Sequence, residues 1–343
     1  MKMKQTAYSI LELAIVTKGH TIKEVFENAT ILAQKAEKYG YKRFWFAEHH
    51  NMASVSSSAP SILIGHIAQA TTKIRVGSGG IMLPNHSPLI VSEQFGTLGN
   101  LYPNRIDLGL GRAPGTDQET AHAIKSDFFK AAQSFPEEIN KIEAYFSNEN
   151  KNEKVRATVA EGVNVPLYIL GSSTDSAHLA AKKGLPYAFA SHFATAQLFN
   201  ALDIYRNEFK PSKNIEKPYI IAGVNIFIAD TEKEAQKMAT SFIKMIVGLL
   251  TGKRKDYLEE PSEMSAELEE ISQHPSVQQM IKYSFIGNKE KVKKQIKDFI
   301  GQTNIDELIA VTNVYESNDR LKSYKLFAEI MKELNENNKE NYL

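Results

Sequence analysis

Short β-rich runs alternate with longer amphipathic runs along almost the whole chain. Residues 22–39 carry apolar side chains at helical spacing, and Gly40 follows where a C-cap glycine is expected. The pattern predicts strands at 8–16, 41–50, 73–83, 105–111, 166–171, 185–190, 218–229 and 305–314. It predicts helices at 22–39, 59–70, 88–100, 134–148, 174–183, 195–209, 231–249, 288–301 and 318–334.

Regular alternation of strands and helices favours a parallel sheet. Eight strand–helix units in 343 residues fit an α/β fold of the (β/α)8 TIM-barrel type, which typically has about 250 residues plus insertions. A doubly wound sheet is the competing fold, which usually needs fewer strands per domain. Since no linker-like stretch divides the chain, we expect a single domain over 1–343 with insertions near 113–133, 149–165 and 250–286. The last insertion, predicted to be irregular, is a candidate lid over the barrel mouth.

Composition narrows the classes of function. The chain has no cysteine, which excludes disulfides, thiolate metal sites and a cysteine nucleophile. Its 41 Lys+Arg nearly balance 40 Asp+Glu, so the net charge of +1 creates no global field for nucleic acid or an acidic membrane. No apolar run approaches the roughly 18 residues of a transmembrane helix. The N-terminus lacks a signal-peptide pattern, so we expect a cytoplasmic protein.

Polar residues lie where the predicted strands end, which in a TIM barrel is the active-site face. The end residues, from the second strand to the sixth, are Glu48-His49-His50, Gly77-Ser78-Gly79-Gly80, Gly109-Leu110-Gly111-Arg112, Gly171-Ser172-Ser173 and Ser191-His192. Because these segments belong to successive strands of one barrel, we expect them to converge.

Arg112 together with Gly171, Ser172 and Ser173 predicts a phosphate site. Arginine supplies a charged fork, the serines stand where a helix begins, and glycine lets the backbone approach a ligand closely. The alternative is a salt-bridged arginine beside an ordinary serine N-cap, and the sequence alone gives the two about even weight.

Glu48-His49-His50 has several interpretations. A histidine here can act as a general base or polarise a bound cofactor. A metal site is an alternative, because Glu48 and His50 face the same way on an extended strand, but no third ligand has a supporting motif. Hydrogen-bonded structural histidines are a further alternative. Three polar residues at the end of an apolar strand favour a functional role.

Four segments together resemble the bacterial luciferase-like family of flavin-dependent monooxygenases. They are AEHHN (47–51), RVGSGGIMLPNHSPLIVSEQFGTL (75–98), NRIDLGLGRAPGTD (104–117) and LYILGSST (167–174). The resemblance covers essentially the whole chain, and it is strongest to single-chain luciferase-like oxidoreductases of unassigned substrate. It implies a TIM barrel closed by an insertion and reduced FMN delivered by a separate flavin reductase. It also implies oxygenation of a small, aldehyde-like or other organic substrate through a flavin peroxide.

The resemblance also assigns roles to individual residues. Arg112, Ser172 and Ser173 match positions that hold the FMN phosphate, with Gly171 adjoining them and Ser176 nearby. Glu48 matches a structural acid beside the flavin, and His49 matches the luciferase catalytic base. Gly79 and Gly80 match a pair joined by a cis peptide bond under the flavin ring.

One departure weakens the likeness to luciferase itself: Gly111 stands where the light-emitting subunit has a reactive cysteine. A generic monooxygenase is therefore the better interpretation, and family likeness predicts a homodimer. The alternatives are a deazaflavin-dependent hydride-transfer oxidoreductase, a non-catalytic flavin-binding protein and a metal-dependent hydrolase on the same barrel.

Overall fold

The computed structural model describes residues 5–340, with side chains described as far as Glu336. Residues 1–4 lie outside the described range. They belong to the N-terminal segment in which we found no signal-peptide pattern. The strands are β1 (Ala7–Glu12), β2 (Arg43–Phe46), β3 (Arg75–Met82), β4 (Ile106–Gly111), β5 (Leu167–Gly171), β6 (Tyr187–Phe189), β7 (Ile220–Ala229), β8 (Ser284–Asn288) and β9 (Glu307–Val311).

Helices follow most of the strands. They are α1 (Ile22–Tyr39), α2 (Pro60–Ala70), α3 (Pro88–Leu101), α4 (Gln118–Ile124), α5 (Phe128–Gln133), α6 (Phe135–Phe146), α7 (Thr174–Lys183), α8 (Leu198–Glu208), α9 (Glu232–Leu250), α10 (Ala266–Ser272), α11 (Pro275–Ile281), α12 (Lys289–Thr303) and α13 (Ser317–Glu340). Short 3-10 turns lie at Leu83–Asn85 and Asn148–Asn152. None of the helices in the described range is long and apolar enough to cross a membrane.

Helix α1 illustrates how local sequence fixes an element. Thr21 and Glu24 form a capping box, in which each side chain accepts the backbone N–H of the other residue. Gly40 ends the helix at φ 86°, a left-handed conformation that glycine adopts without strain. Between these ends the buried face packs on the barrel through Val25, Ala29, Leu32, Ala33 and Ala36.

The sheet closes into a barrel. Strands β1 to β7 pair in sequence order, and β9 pairs with both β7 and β1, so eight parallel strands form a complete ring. The predicted TIM barrel is therefore confirmed. In such a ring, the carboxyl ends of all eight strands open at one face.

Strand β8 is an addition to this ring. Within the described residues it pairs with the second half of β7, from Asn225 to Ala229, and with no other strand, whereas β9 pairs with the first half of β7. The prediction that 250–286 is irregular was wrong, because this segment contains α10, α11 and the first part of β8. Val277 and a few partly buried side chains pack these elements on α9, which is too sparse an apolar pattern to reveal them from sequence. The insertion at 113–133 likewise contains α4 and α5.

A buried ionic cluster lies at the opposite, amino-terminal end of the barrel. Arg43 of β2 donates to Asp107 of β4 at 2.8 Å and to Glu307 of β9 at 2.7 Å. Arg75 of β3 and Trp45 of β2 also donate to Asp107, at 2.6 Å and 3.0 Å. Charges from four strands therefore compensate one another inside the barrel, and Trp45 is buried among them.

Candidate active site

The polar segments predicted from strand ends converge at the carboxyl end of the barrel. Glu48 and His49 follow β2, the Gly79–Gly80 pair lies in β3, Arg112 follows β4 and Gly171 ends β5. Parallel pairing of these neighbouring strands places all six residues on one face.

Glu48 is fully buried and accepts donors from several neighbours. His50 Nε2 donates at 2.8 Å, His86 Nε2 at 2.9 Å and the Met82 backbone N–H at 2.9 Å, and the Asn85 amide adds a fourth at 3.1 Å. Burial raises the pKa of Glu48, but the hydrogen bonds from the two histidines and Met82 outweigh it and lower the pKa to about 2. Glu48 is therefore an anion that ties the ends of β2 and β3 together.

The contact between Glu48 and His50 agrees with the side-by-side placement expected from their spacing. Both histidines next to Glu48 are held by hydrogen bonds to its carboxylate. Within the described residues, no group of three or more acidic or histidine side chains is arranged to hold a metal ion.

His49 contacts the loop after β4 instead of the Glu48 carboxylate. Its Nδ1 lies 3.2 Å from the carbonyl oxygen of Gly115, which belongs to the loop after β4. Gly115 has φ 68°, and a Cβ there would come within 2.5 Å of the Glu48 carbonyl oxygen, so the close approach of this loop requires glycine. Burial lowers the pKa of His49, which is therefore neutral at neutral pH and can accept a proton.

The peptide bond between Gly79 and Gly80 is cis, as the family resemblance implied. A Cβ at Gly79 would come within 2.8 Å of Leu11, and one at Gly80 within 2.8 Å of the Gly109 carbonyl oxygen. Since neither position has room for a side chain, the backbone itself forms this part of the barrel wall.

The predicted phosphate residues meet where β4 and β5 end. Ser173 is the N-cap residue of α7, yet its hydroxyl makes no capping bond to that helix in the described structure. Ser176 donates to the Ser173 carbonyl oxygen at 2.8 Å, and its oxygen would overlap a Cβ at Gly171. Arg112 is half exposed and pairs with Asp175 at 3.1 Å. The alternative of a salt-bridged arginine beside a serine N-cap is therefore met in its salt bridge, but Ser173 holds the N-cap position without a side-chain capping bond.

A cavity of about 500 Å³ adjoins these residues. Arg112, Asp175 and Ser176 supply its polar wall, and Phe129, Phe135 and Leu179 belong to its apolar wall. The volume falls within the range of small-molecule and cofactor sites, about 300–1,000 Å³. The insertion at 113–133 therefore forms one side of a site, through α5.

The segment 250–286 reaches the loops at the same face. Leu258 forms an isolated parallel bridge with Thr17 and packs with Ile15 and Val55. Near its other end, the Gln279 side chain donates to Thr195 at 2.7 Å, in the loop after β6. The segment thus contacts loops on both the β1 side and the β6 side of the mouth.

His192 follows β6 and was recognised in the sequence as a strand-end residue without a role. Its Nδ1 is buried and has no hydrogen-bond partner among the described residues. Burial, with a smaller contribution from His49, lowers its pKa to about 4. The sequence signal for this residue was a histidine next to a serine at the end of a strand. Its neighbours in space belong to β7 and to the loop after β2, and the sequence does not show that these segments meet His192.

Known proteins resemble this chain over nearly its full length. A family model described as luciferase-like monooxygenase matches residues 10–306. The luciferase-like monooxygenase of Escherichia coli K12 is 42% identical, over 97% of this chain and 99% of the relative. The N-acetyl-S-alkylcysteine monooxygenase of Bacillus subtilis is 31% identical, over 94% of this chain and 97% of the relative.

Solved structures share the same barrel. The crystal structure of apo-MsnO8 has a TM-score of 0.86 and 32% identity, covering 95% of this chain and 98% of that one. At 14% identity, the FMN complex of 3,6-diketocamphane monooxygenase from Pseudomonas putida has a TM-score of 0.72, covering 96% and 98%. At 17% identity, an F420-dependent secondary alcohol dehydrogenase has a TM-score of 0.69, and the match covers 96% of this chain and 98% of that one. The family match and the relatives above 30% identity establish that the chain belongs to the luciferase-like monooxygenase family, which makes it an oxidoreductase of the monooxygenase type.

Proposed function

We propose that this protein is a monooxygenase that uses reduced FMN and O2 to oxygenate a small organic substrate. The observation that carries the proposal is the joint placement of Arg112 and of Ser176, in the first turn of α7, on the wall of a cavity of about 500 Å³. His49, a neutral imidazole, lies on the same barrel face.

The residues present fit the phosphate of FMN. Arg112 offers a guanidinium fork on the cavity wall, and Ser172, Ser173 and Ser176 offer hydroxyl groups at the start of α7. A helix N-terminus favours an anion, and arginine binds phosphate through paired hydrogen bonds. Asp175 holds Arg112 at this end of α7, so a phosphate entering here would share the arginine with Asp175.

Bound reduced FMN would supply the electrons that activate O2, placing one oxygen atom in the substrate and releasing the other as water. The protein's part is to position the reactants and exclude water. Because Gly79 and Gly80 carry no side chains, a flat ring system bound against this part of the wall would lie directly on the backbone. His49 would accept a proton at Nε2, since its Nδ1 is engaged by Gly115.

Glu48 is proposed to act by positioning rather than by proton transfer. Its four donors and its lowered pKa make it a poor proton acceptor near neutral pH. It fixes the turn that carries His49. The segment 250–286 would act as the lid that keeps water out of the site.

The competing cofactor is a deazaflavin, because a protein of the same fold is F420-dependent. Such an enzyme would transfer hydride and consume no oxygen. A non-catalytic flavin-binding protein is a further alternative, which would bind FMN without turnover of a substrate.

We further propose that a separate flavin reductase supplies reduced FMN and that the protein works as a cytoplasmic homodimer. Neither nucleic acid nor a membrane is a proposed partner, in line with a net charge of +1. A domain spanning 1–343 with three insertions is the proposed organisation.

The test compares cofactors first and substrates second. Purified protein is titrated without oxygen with reduced FMN and, separately, with reduced F420, followed by ¹⁸O2 and a panel of an aldehyde, a ketone and a thioether. An N-acetyl-S-alkylcysteine represents the thioether. Tight FMN binding with ¹⁸O in a product supports the proposal. Preference for F420 without oxygen uptake, or FMN binding with no product from the whole panel and only hydrogen peroxide released, contradicts it.

A further inference from the structure

The imidazole of His192 lies against a glycine of the neighbouring strand. A Cβ built on Gly223 of β7 would be 2.4 Å from His192 Nδ1, and 3.3 Å and 3.4 Å from Cγ and Cε1. The Nδ1 edge of the ring therefore faces β7, and the opposite edge, which carries Nε2, faces away from it. Only glycine at 223 leaves space for this orientation.

Two hydrogen bonds fix the backbone that carries this ring. The Asn225 amide donates to the His192 carbonyl oxygen at 2.6 Å, and the Ser191 hydroxyl donates to the Gly223 carbonyl oxygen at 2.6 Å. The ring is thus held at the mouth by β7 as well as by its own strand.

The surroundings of Nδ1 determine where the proton of the neutral ring resides. Nδ1 is buried without a partner among the described residues, so a proton there would be an unpaired buried donor. Nε2 lies on the edge turned away from β7 and, unlike Nδ1, is not a buried atom without a partner in the described part of the chain, so a ligand or water can receive its hydrogen bond. The neutral ring is therefore the Nε2–H tautomer, a hydrogen-bond donor.

His49 has the opposite tautomer for an equally direct reason. Its Nδ1 lies 3.2 Å from the Gly115 carbonyl oxygen, and a carbonyl oxygen only accepts hydrogen bonds. Nδ1 therefore carries the proton, and Nε2 presents a lone pair. His49 offers an acceptor where His192 offers a donor.

The two rings also lie across the site from each other. Strands β2 and β6 are four places apart in the ring of eight, so the residues that follow them stand on opposite sides of the mouth. They are nevertheless within electrostatic reach, because a charge on His49 lowers the pKa of His192.

We propose that His192 is a ligand-contacting hydrogen-bond donor of this site, in the Nε2–H tautomer, and that it works opposite the acceptor Nε2 of His49. Such a pair selects a polar group that presents an acceptor on one side and a proton on the other, as a hydroxyl group or an amide edge does. The tautomers belong to the free protein; the ligand contact rests on the proposed function, with FMN as the probe.

Nuclear magnetic resonance tests the tautomers without any ligand. Two-bond ¹H–¹⁵N correlation spectra of histidine-labelled protein distinguish Nδ1–H from Nε2–H rings, and His49→Gln and His192→Gln identify the two signals. We expect Nδ1–H for His49 and Nε2–H for His192 at neutral pH. The same tautomer in both rings, or a protonated His192, would overturn the proposal.

A matched pair of variants tests the ligand contact. In His192→Gln the amide nitrogen stands near the former Nε2, whereas in His192→Asn it stands near the former Nδ1. Loss of one hydrogen bond should weaken FMN binding about three- to tenfold in the Asn variant and leave the Gln variant within about twofold of wild type. The measurement is FMN fluorescence, with the melting temperature of each variant as the folding control.

Equal FMN affinities in wild type and both variants would overturn the ligand contact, as would equal losses in the two variants. If wild-type protein fails to bind FMN at all, the proposed function fails, and the spectra of the free protein still decide the tautomers. Gly223→Ala adds an independent check, because it should displace the ring and change the His192 signal while leaving that of His49 in place.

Discussion

The carboxylate of Glu48, just after β2, accepts the backbone N–H of Met82, the last residue of β3, at 2.9 Å. The same carboxylate receives Nε2 of His50 and Nε2 of His86. One buried anion thus joins the ends of two strands and the loop beyond them. Gly79 and Gly80 lie just before Met82, so the fixed strand end also fixes this part of the barrel wall.

Replacing this anion by an amide should destabilise the fold. Glu48→Gln keeps the shape of the side chain, but it loses the charge-assisted hydrogen bonds and turns one acceptor into a donor that faces other donors. We expect the free energy of unfolding to fall by about 3 kcal/mol. Urea denaturation measures it, and Glu149→Gln, at an exposed site on the Asn148–Asn152 turn, is the control. A loss as small as that of the control would contradict the role.

The same residue predicts how stability depends on pH. The pKa of Glu48 is lowered from 4.5 to about 2, so its contribution is complete above about pH 4.5 and is lost as the pH falls towards 2. A shift of this size corresponds to about 3 kcal/mol. Unfolding measured from pH 7 to pH 2 should therefore show wild type and Glu48→Gln converging in acid. Parallel curves over the whole range would rule out the lowered pKa.

His49 should affect turnover more than cofactor binding. His49→Ala removes the proton acceptor at Nε2 without touching the phosphate residues. We therefore expect FMN affinity to fall by no more than the roughly three- to tenfold of one hydrogen bond, and product yield to fall about a hundredfold. Reduced flavin would then be consumed mainly to form hydrogen peroxide. Product and peroxide are measured together, with exposed His122→Ala as the control. An unchanged product yield would remove His49 from the chemistry.

Arg112 should contribute to the binding of the FMN phosphate and not to the binding of the rest of the cofactor. Loss of its charge-assisted hydrogen bonds in Arg112→Ala should weaken FMN binding by about 10- to 100-fold. Riboflavin has no phosphate, so its affinity should stay the same. Fluorescence titration measures both ligands, and Arg156→Ala, which breaks the surface pair with Glu161, is the matched control. Equal weakening of FMN and riboflavin would show that Arg112 does not bind the phosphate.

The barrel and much of the candidate site were predictable because their signals are local. Each ring strand is a short apolar run, and Glu48, His49 and Arg112 stand at strand ends, where a parallel barrel gathers its polar residues. By contrast, α10 and α11 have few buried side chains, so their helical periodicity is weak and tertiary packing on α9 determines them.

Other features depend on partners that are distant in the chain. The orientation of His192 follows from Gly223, and the tautomer of His49 follows from Gly115. The ionic cluster joins Arg43 to Glu307, which are 264 residues apart. The sequence signal for this cluster was a charged residue inside an apolar strand, such as Asp107 in β4. A single sequence does not show which residues pair with it.

Asp107 should contribute strongly to stability and be dispensable for the site. Its carboxylate is fully buried and accepts hydrogen bonds from Arg43, Arg75 and Trp45. Asp107→Asn leaves the two guanidinium groups with less compensating charge, and breaking a buried pair costs about 3–5 kcal/mol. Urea denaturation measures this loss, and exposed Asp127→Asn is the control.

The cluster lies at the amino-terminal end of the barrel, away from Arg112 and His49, so folded Asp107→Asn protein should bind FMN with wild-type affinity. A loss of stability without a loss of FMN affinity would show that the Asp107 charge serves the fold and not the site. A stability loss below about 1 kcal/mol would mean that Glu307 alone compensates Arg43. Weakened FMN binding in protein that remains folded would mean that the two ends of the barrel are coupled.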